Sequence, residues 1–296
     1  MIERRLTDSM VPPLSRHHVG LTALAVACAA HCASTVVAET VVLRSVADVT
    51  LIEPNDGLQY ALGAAYNIYC GRVGVNGGGT LRRAVVRFDL STIPAGSTIL
   101  SVSYKAYMSQ TSSGANDCKL HRMLAPWGEG TSFAFGGGGT SPEVNDATWA
   151  YNFWPTSTWA VPGGVFVPTA SATKSVNAVG FYTWATVPAL VADVQAWLDT
   201  PAVNYGWVMV GNEATLETAK RFDSRESSDI THHPTITVAY TLASAAPGDL
   251  NGDGKINGVD LGILLAAWGG TGPADLNRNG IVEGGDIGML LSNWQP

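Results

Sequence analysis

The chain has 296 residues, a length that suits one large domain or two of modest size. Charged residues make up only 14% of it, glycine occurs 33 times, and the formal net charge is −7. This composition is typical of a loop-rich extracellular β protein. The acidic balance, without a basic cluster, argues against nucleic acid as a partner.

The N-terminal segment has the features of a secretory signal peptide. Three arginines, the last of them Arg16, precede an apolar run from residue 21 to residue 33, and small residues follow at 36–38. The run is too short to cross a bilayer, and no later stretch is long enough, so we expect no membrane span. Residues 1–38 are therefore predicted to be a signal peptide, and the mature protein to be secreted or held at the cell surface.

Two cysteines, Cys70 and Cys118, follow the predicted cleavage site. An extracellular compartment is oxidising, so we expect them to form a disulfide. The alternative is a pair of buried free thiols. Neither cysteine has neighbours typical of a metal ligand or a catalytic nucleophile.

Residues 39–242 alternate short apolar runs with clusters of Gly, Ser, Thr and Asn, a pattern typical of an antiparallel β-sandwich. The pattern predicts strands at 40–45, 84–89, 99–108, 119–124, 180–183, 206–210 and 235–242. One helix is predicted over 187–198, where apolar residues share one face and Pro188 occupies the first turn. Residues 243–247 are predicted to be a linker.

An aromatic cluster follows a glycine-rich stretch of this region. Its members are Trp149, Tyr151, Phe153, Trp154 and Trp159. Sugar rings stack on such side chains, so Tyr151, Trp154 and Trp159 are the predicted carbohydrate-binding residues. The alternative is that the cluster fills the core or covers an insertion, and Trp149, in an alternating run, is expected in the core.

The sequence contains no catalytic motif of the metalloprotease, serine hydrolase or phosphate-binding types. A glycosidase needs two carboxylates that converge in the fold. The candidates are Asp89, Glu129, Asp223 and Glu226. The alternative for Asp89 and for the neighbours Arg225 and Glu226 is a buried ion pair or a turn anchor.

Five segments carry a family resemblance. They read VRFDLS at 86–91, WGEGT at 127–131, VQAW at 194–197, NYG at 204–206 and FDSRES at 222–227. In this order they are similar to the signature of the DNRLRE domain, also called carbohydrate-binding module family 96. The literal DNRLRE string is missing, and the link after WGEGT is stretched. The resemblance implies a jelly-roll β-sandwich that binds an extracellular, acidic polysaccharide.

The C-terminal residues 248–294 contain a duplication with a shift of 26 residues. In each copy, oxygen-bearing side chains occupy positions 1, 3, 5, 9 and 12, glycine occupies position 6, and a backbone carbonyl serves at position 7. This is the register of an EF-hand-type calcium loop. The predicted metal ligands are Asp249, Asn251, Asp253, Lys255, Asn257 and Asp260 in the first loop, and Asp275, Asn277, Asn279, Ile281, Glu283 and Asp286 in the second.

An amphipathic helix is predicted after each loop. The apolar residues of its buried face are Leu261, Leu264, Leu265 and Trp268 in the first copy, and Ile287, Leu290, Leu291 and Trp294 in the second. No helical pattern precedes the first loop, which departs from the EF-hand.

The duplicated loop and helix of residues 248–296 resemble a type I dockerin. The resemblance implies a small α-helical module that binds two calcium ions and attaches to a cohesin-like partner. Loop positions 10 and 11 are Gly258-Val259 and Gly284-Gly285, where many cellulosomal dockerins carry hydroxyl residues. Another cell-surface receptor is therefore an open alternative, as is calcium that simply holds the module together.

These patterns predict a mainly β protein, a jelly-roll sandwich with one helix, followed by a small α-helical module with two calcium loops. The favoured function is secreted, non-catalytic polysaccharide binding in polysaccharide degradation, with the calcium module providing attachment. One alternative is a polysaccharide lyase or glycoside hydrolase whose site lies in the sandwich. The other is a structural protein of a surface or matrix.

Overall fold

The computed structural model describes residues 38–242 and 246–295, and this part of the chain is mainly β. Residues 1–37 of the predicted signal peptide and residues 243–245 of the predicted linker lie outside the described residues. The strands are β1 (Ala38–Ile52), β2 (Asn67–Arg72), β3 (Leu81–Phe88), β4 (Thr98–Thr111), β5 (Asn116–Arg122), β6 (Tyr151–Phe153), β7 (Ser157–Thr158), β8 (Ala172–Val176), β9 (Gly180–Trp184), β10 (Trp207–Val210), β11 (Lys220–Asp223) and β12 (Thr235–Thr241). The helices are α1 (Pro188–Asp199), α2 (Gly258–Ala266) and α3 (Gly284–Ser292).

Two antiparallel sheets make up the sandwich. In the first sheet, β12 and β11 pair with β4, and β9 pairs with the other edge of β4. The second sheet has the order β3, β10, β5, β8. β1 belongs to both sheets, because its first half pairs with β12 and its second half, after a bulge between Ser45 and Ala47, pairs with β3. β2 also joins both, pairing with β11 and then with β3.

The main core lies between the two sheets and is rich in aromatic side chains. Trp184, Trp197 and Trp207 are at most 1% exposed, and Trp197 meets Trp207 edge to face at 4.6 Å between ring centroids. Trp197 comes from α1, which also buries Leu190 and Val194 here. The helix begins with Pro188, as the sequence predicts, since the first turn leaves its N–H unpaired in any case.

A second core covers the outer face of the second sheet. Alternate residues of β3 and β10 point away from the main core, and Val85 and Val208 are fully buried there. The long connection between β5 and β8 covers them with Met123, Trp127 and Trp159. The aromatic segment of the sequence is therefore part of a packed layer over the sheet.

All seven predicted strands are confirmed within a few residues, and so is the predicted helix. The prediction missed β2, β8 and β11, together with the short β6 and β7 pair. It also ended the first strand at residue 45, whereas β1 continues to Ile52.

A buried polar network ties α1 to the second sheet. Asp193 of α1 accepts hydrogen bonds from Trp207 Nε1 at 2.7 Å and Ser171 Oγ at 2.5 Å. Its other oxygen lies 3.2 Å from Arg122 Nε. One carboxylate thus satisfies three groups from three separate segments.

We expect Asp193→Ala to lower the free energy of unfolding by roughly 3–5 kcal/mol, because it leaves Trp207 Nε1, Ser171 and Arg122 without their acceptor. Asp199→Ala is the matched control, since Asp199 is exposed at the end of the same helix. Chemical denaturation followed by tryptophan fluorescence measures both. Equal stabilities for the two variants would contradict the assigned role of Asp193.

Residues 246–295 have a small apolar core of their own. Ile256, Leu264, Val282 and Leu290 are at most 1% exposed, so position 8 of each loop and one leucine of each helix meet there. The predicted helix faces are wrong in their second half. α2 ends at Ala266 and α3 at Ser292, before the two tryptophans. Of the residues on these apolar faces, four are exposed, namely Leu265, Trp268, Leu291 and Trp294.

No helix within residues 38–242 and 246–295 is long and apolar enough to span a membrane.

Cys70 and Cys118 lie side by side in the main core, although they come from different parts of the sandwich. Cys70 is in β2 and Cys118 in β5, both are fully buried, and both are thiols in the structure, with Sγ atoms 3.6 Å apart. The two side chains are neighbours, and the disulfide between them stays a prediction. The thiol–thiol hydrogen bond and burial raise the pKa of Cys70, which suppresses the reactive thiolate.

We expect the disulfide to form while the chain folds, since both thiols are buried in the folded protein and the pKa of Cys70 is raised there. Oxidative refolding should give a protein whose thermal midpoint falls on reduction, with a model-dependent loss of roughly 3–4 kcal/mol. Reduced, folded protein should resist iodoacetamide until denatured. Identical midpoints with and without reductant would instead leave Cys70 and Cys118 as a pair of buried thiols.

Candidate functional site

The first predicted calcium loop folds back on its own side-chain oxygens. Asp249, at position 1, accepts hydrogen bonds from the backbone N–H groups of Gly252 and Gly254 at 2.8 and 2.9 Å. Asp253 accepts from the N–H of Lys255 at 2.9 Å. The loop therefore turns around oxygen-bearing side chains, as the spacing predicts.

The second loop repeats this arrangement. Asp275 accepts from the N–H groups of Asn279 and Gly280 at 3.1 and 2.8 Å. The glycines at position 6, Gly254 and Gly280, have φ values of 83° and 97°, in the left-handed region where a Cβ is costly. Both copies therefore place glycine where the backbone has a positive φ.

The aspartates at position 12 have a second role that needs no cation. Asp260 accepts from the N–H of Asn257 at 2.9 Å, and Asp286 from the N–H of Glu283 at 2.8 Å, so each caps the helix that follows. Burial alone would raise the pKa of Asp260, but backbone N–H donors outweigh it and the pKa is lowered. Backbone N–H donors also lower the pKa of Asp286. Both groups are therefore held as carboxylates.

The donors in both loops suit a hard cation, since every predicted side-chain ligand offers oxygen. Within residues 38–242 and 246–295, however, the loop carboxylates do not form a group of three with oxygens within 4.8 Å of one another. A calcium ion would have to draw them closer. The residue types and their spacing fit calcium. Binding would contract each loop around its ion.

The three predicted carbohydrate-binding aromatics do not form one exposed platform. Trp159 is 5% exposed and donates from Nε1 to the carbonyl of Thr148 at 2.9 Å, so its assignment as a stacking residue is wrong. The outer face of the second sheet needs an apolar cover, and Trp159 supplies part of it. Tyr151 and Trp154 are half-buried and meet edge to face at 4.6 Å. Trp149 packs against the same second core, as expected.

A different concave surface lies on the outer face of the first sheet. Arg221 of β11 has Tyr69 of β2 and Gln110 of β4 as its cross-strand neighbours. These three residues, Arg82 and the glycine loop 136–138 line a cavity of about 400 Å³, which we call the sheet groove. Its lining also includes Thr111, Ser112 and Glu217.

The two arginines of the sheet groove have different surroundings. Arg82 is 5% exposed and donates from Nε to the carbonyl of Gly137 at 2.7 Å, which holds the glycine loop against the sheet. Burial lowers the pKa of Arg82 to about 10, so it stays charged at neutral pH. Arg221 is half-buried and donates from Nε to Ser109 Oγ at 3.0 Å. Of the two arginines, Arg221 is therefore the one that is more accessible to solvent.

Exposed aromatic side chains border the sheet groove. Phe135, which is 85% exposed, directly precedes Gly136 of the lining. It meets Phe133 at 4.9 Å, and Phe133 meets Tyr66 at 5.4 Å between ring centroids. Such exposed rings are suited to stacking against the C–H faces of sugars. Sequence reasoning missed this trio, since only the spacing of Phe133 and Phe135 beside a glycine run could have marked it.

A larger cavity, of about 600 Å³, lies beside the VRFDLS segment and α1. Its walls are mostly apolar, with Leu90, Ile93, Pro94 and Trp197 among them, and Arg87 and Asp89 at its side. Asp89 accepts hydrogen bonds from the N–H and Oγ of Ser91, both at 2.9 Å. It is the turn anchor that the sequence offered as an alternative to catalysis.

Asp223 is engaged away from both cavities. It lies 2.8 Å from His232 Nδ1 and accepts from Asn67 Nδ2 at 2.8 Å. Tyr107 stacks on the His232 ring with centroids 3.6 Å apart. A histidine beside a carboxylate is one of the pairs that catalysis uses, but neither residue lines the sheet groove or the larger cavity. Among the described residues, this pair therefore lies outside both of these cavities.

Glu129 and Glu226 do come together, with a third carboxylate, Asp48, that sequence reasoning missed. Arg225 donates to Glu129 through Nε and Nη2 at 2.6 and 2.9 Å, and its Nε lies 2.8 Å from Glu226 Oε1. Asp48, from β1, is fully buried beside them and accepts from the N–H of Arg225 at 2.8 Å. We call Asp48, Glu129, Arg225 and Glu226 the carboxylate cluster.

Burial and the nearby Glu226 raise the pKa of Asp48 well above that of a free aspartate. Burial also raises the pKa of Glu226, against the opposing effect of Arg225. A carboxyl whose pKa is raised by folding favours the folded state below its ordinary pKa, and this stabilisation is lost as pH rises through the raised value. Burial therefore disfavours the charged form of Asp48 and Glu226 while no further positive group is present.

No protein-family model matches the chain, and no curated protein matches it. The resemblances to the DNRLRE domain and to type I dockerins therefore stay predictions.

We expect Asp253→Asn to weaken calcium binding by roughly tenfold or more, because calcium affinity depends on the number of charged ligands in the loop. The asparagine keeps an oxygen that can accept from Lys255 N–H, so the stability without calcium should stay close to that of the wild type. Asp260→Ala should lower stability even without calcium, since it removes a helix cap, by about 1 kcal/mol. Calorimetric titration and thermal unfolding in chelator separate the two effects. Unchanged calcium uptake in Asp253→Asn would remove this loop as a binding site.

Proposed function

We propose that this chain is a secreted, non-catalytic polysaccharide-binding protein with a DNRLRE-like jelly-roll sandwich and a dockerin-like C-terminal module. The sandwich holds an acidic glycan of a matrix undergoing degradation. The module binds two calcium ions and attaches the protein to a cohesin-like or other cell-surface receptor.

The sheet groove carries this proposal. It offers a solvent-facing charge at Arg221, amide and hydroxyl groups at Gln110 and Ser112, and an exposed ring at Phe135 on its border. An open groove with a stacking ring and a few polar groups suits an extended chain of sugars. Two arginines against the single carboxylate of Glu217 favour an acidic sugar over a neutral one.

The attachment role rests on the repeated surface of the C-terminal module. Leu265 and Leu291 are each 50% exposed, and Trp268 and Trp294 are exposed as well. Each pair is related by the 26-residue repeat, so the module presents the same apolar side chains twice. Exposed apolar residues of this size are typical of a protein-binding surface.

The proposal predicts that Arg221→Ala weakens retention on a polyuronate by roughly tenfold or more, because a charge-assisted hydrogen bond contributes about 1.5–3 kcal/mol. Phe135→Ala should weaken it by a smaller factor, since stacking contributes about 1 kcal/mol. Both side chains lie outside the main core, so folding should be unaffected. Affinity electrophoresis against a polyuronate and a neutral glucan gives the comparison.

Trp154→Ala is the matched control for these variants. If Trp154→Ala reduces retention while Arg221→Ala does not, the glycan site lies at Tyr151 and Trp154 as the sequence predicted. If no variant matters and no polysaccharide is retained, the binding function is wrong.

The second candidate function is a structural role in a surface or matrix. It is favoured by the inward packing of Trp159, which removes one of the three aromatic residues predicted to bind carbohydrate. The absence of retention on every polysaccharide tested, with an intact fold, would support this candidate.

A further inference from the structure

The carboxylate cluster brings together three segments that are far apart in the chain. Asp48 is on β1, Glu129 lies in the WGEGT segment, and Glu226 follows β11. One carboxylate oxygen of each residue lies within 4.8 Å of one oxygen of both others. Two oxygens bound to one calcium ion, each at about 2.3–2.6 Å, are at most about 5 Å apart. The separations in the cluster thus suit ligands of a single calcium ion.

Two oxygens of the cluster have no hydrogen-bond partner among the described residues. They are Asp48 Oδ1 and Glu226 Oε2, and both atoms are buried. Asp48 is fully buried as a residue. A buried carboxylate oxygen left without a donor is costly, so the arrangement calls for a further positive group.

The charges of the cluster lead to the same conclusion. Three carboxylates face one guanidinium, Arg225, whose Nε and Nη2 already contact Glu129 and Glu226. The N–H of Asp48 donates to Glu129 Oε1 at 2.8 Å, which fixes the two acids relative to each other. With all three acids ionised the excess over Arg225 would be two negative charges, which one divalent cation would neutralise. All the available donors are oxygens, the ligands that a hard cation prefers.

We propose that Asp48, Glu129 and Glu226 bind a divalent cation of the calcium type inside the sandwich. This site is separate from the two C-terminal loops and does not depend on the proposed glycan or attachment functions. The ion would join β1, the WGEGT segment and the loop after β11, with Arg225 holding the two glutamates from the other side.

In the test, a chelator first removes metal from the full chain, which is then dialysed to equilibrium against calcium. Atomic emission gives the number of calcium ions bound per chain. A variant with both loops disabled, Asp249→Ala with Asp275→Ala, should still retain calcium. A loop-disabled chain that binds no calcium would overturn the proposal, whatever the loops themselves do in the wild type. This measurement needs no substitution in the cluster, so it stands even if cluster variants fail to fold.

Glu226→Gln gives the second measurement, and Asp117→Asn, an exposed site on β5, is its matched control. Glu226→Gln should bind one calcium ion fewer than the wild type. Its thermal midpoint in chelator should equal or exceed that of the wild type, because one uncompensated charge is gone, and its midpoint should gain less from calcium. An unchanged ion count in Glu226→Gln would show that the cluster holds a shared proton instead. A lower midpoint in chelator with no change in ion count would show that the cluster is a purely structural ion pair. Either of these two results rejects the cation site.

Discussion

The second sheet of the sandwich is apolar on both faces, and much of the remaining structure follows from this constraint. Along β3, Ala84 and Val86 face the main core while Val85 faces outward, and all three are at most 1% exposed. A strand buried on both sides reads as a continuous apolar run and needs a layer on each side. The first sheet supplies one layer. The connection between β5 and β8 supplies the other, which is why so many aromatic residues occur in a segment with little regular structure.

Sequence reasoning succeeded where a feature depends on a local pattern and failed where it depends on distant residues. The β-sandwich and the helix α1 were predictable because alternation and helical periodicity are local patterns. The strand β11 was not, because Lys220 sits in the position of a core residue. Lys220 is fully buried, and its ammonium group donates to Thr111 Oγ1 and to the carbonyl of Gly114, both at 2.7 Å. A lysine reads as solvent-exposed unless the acceptors around it are known.

The candidate sites differ in the same way. A site built from residues close in sequence was predictable, and a site built by strand pairing was not. The loop register was readable, since all ligands of one loop lie within twelve positions and the glycine at position 6 has the positive φ that the motif requires. The sheet groove was not, because Tyr69, Gln110 and Arg221 meet only through strand pairing. The error at Trp159 has the same origin. In a sequence, a tryptophan near glycines is equally consistent with a sugar-stacking residue and with a core residue that covers a sheet. Trp159 is the second kind because it packs on the outer face of the second sheet.

The two kinds of proposed cation site differ in what binding would do to the fold. A C-terminal loop closes over a short stretch, so its ion would act on a small module with five buried core residues and little apolar surface to hold it together. The carboxylate cluster instead joins Asp48 to residues about 80 and 180 positions later, and these long closures are already made by the pairing of β1 with β3 and β12. There an ion would relieve charge repulsion within a sandwich that is already folded. Calcium should therefore raise the stability of the small module more than that of the sandwich.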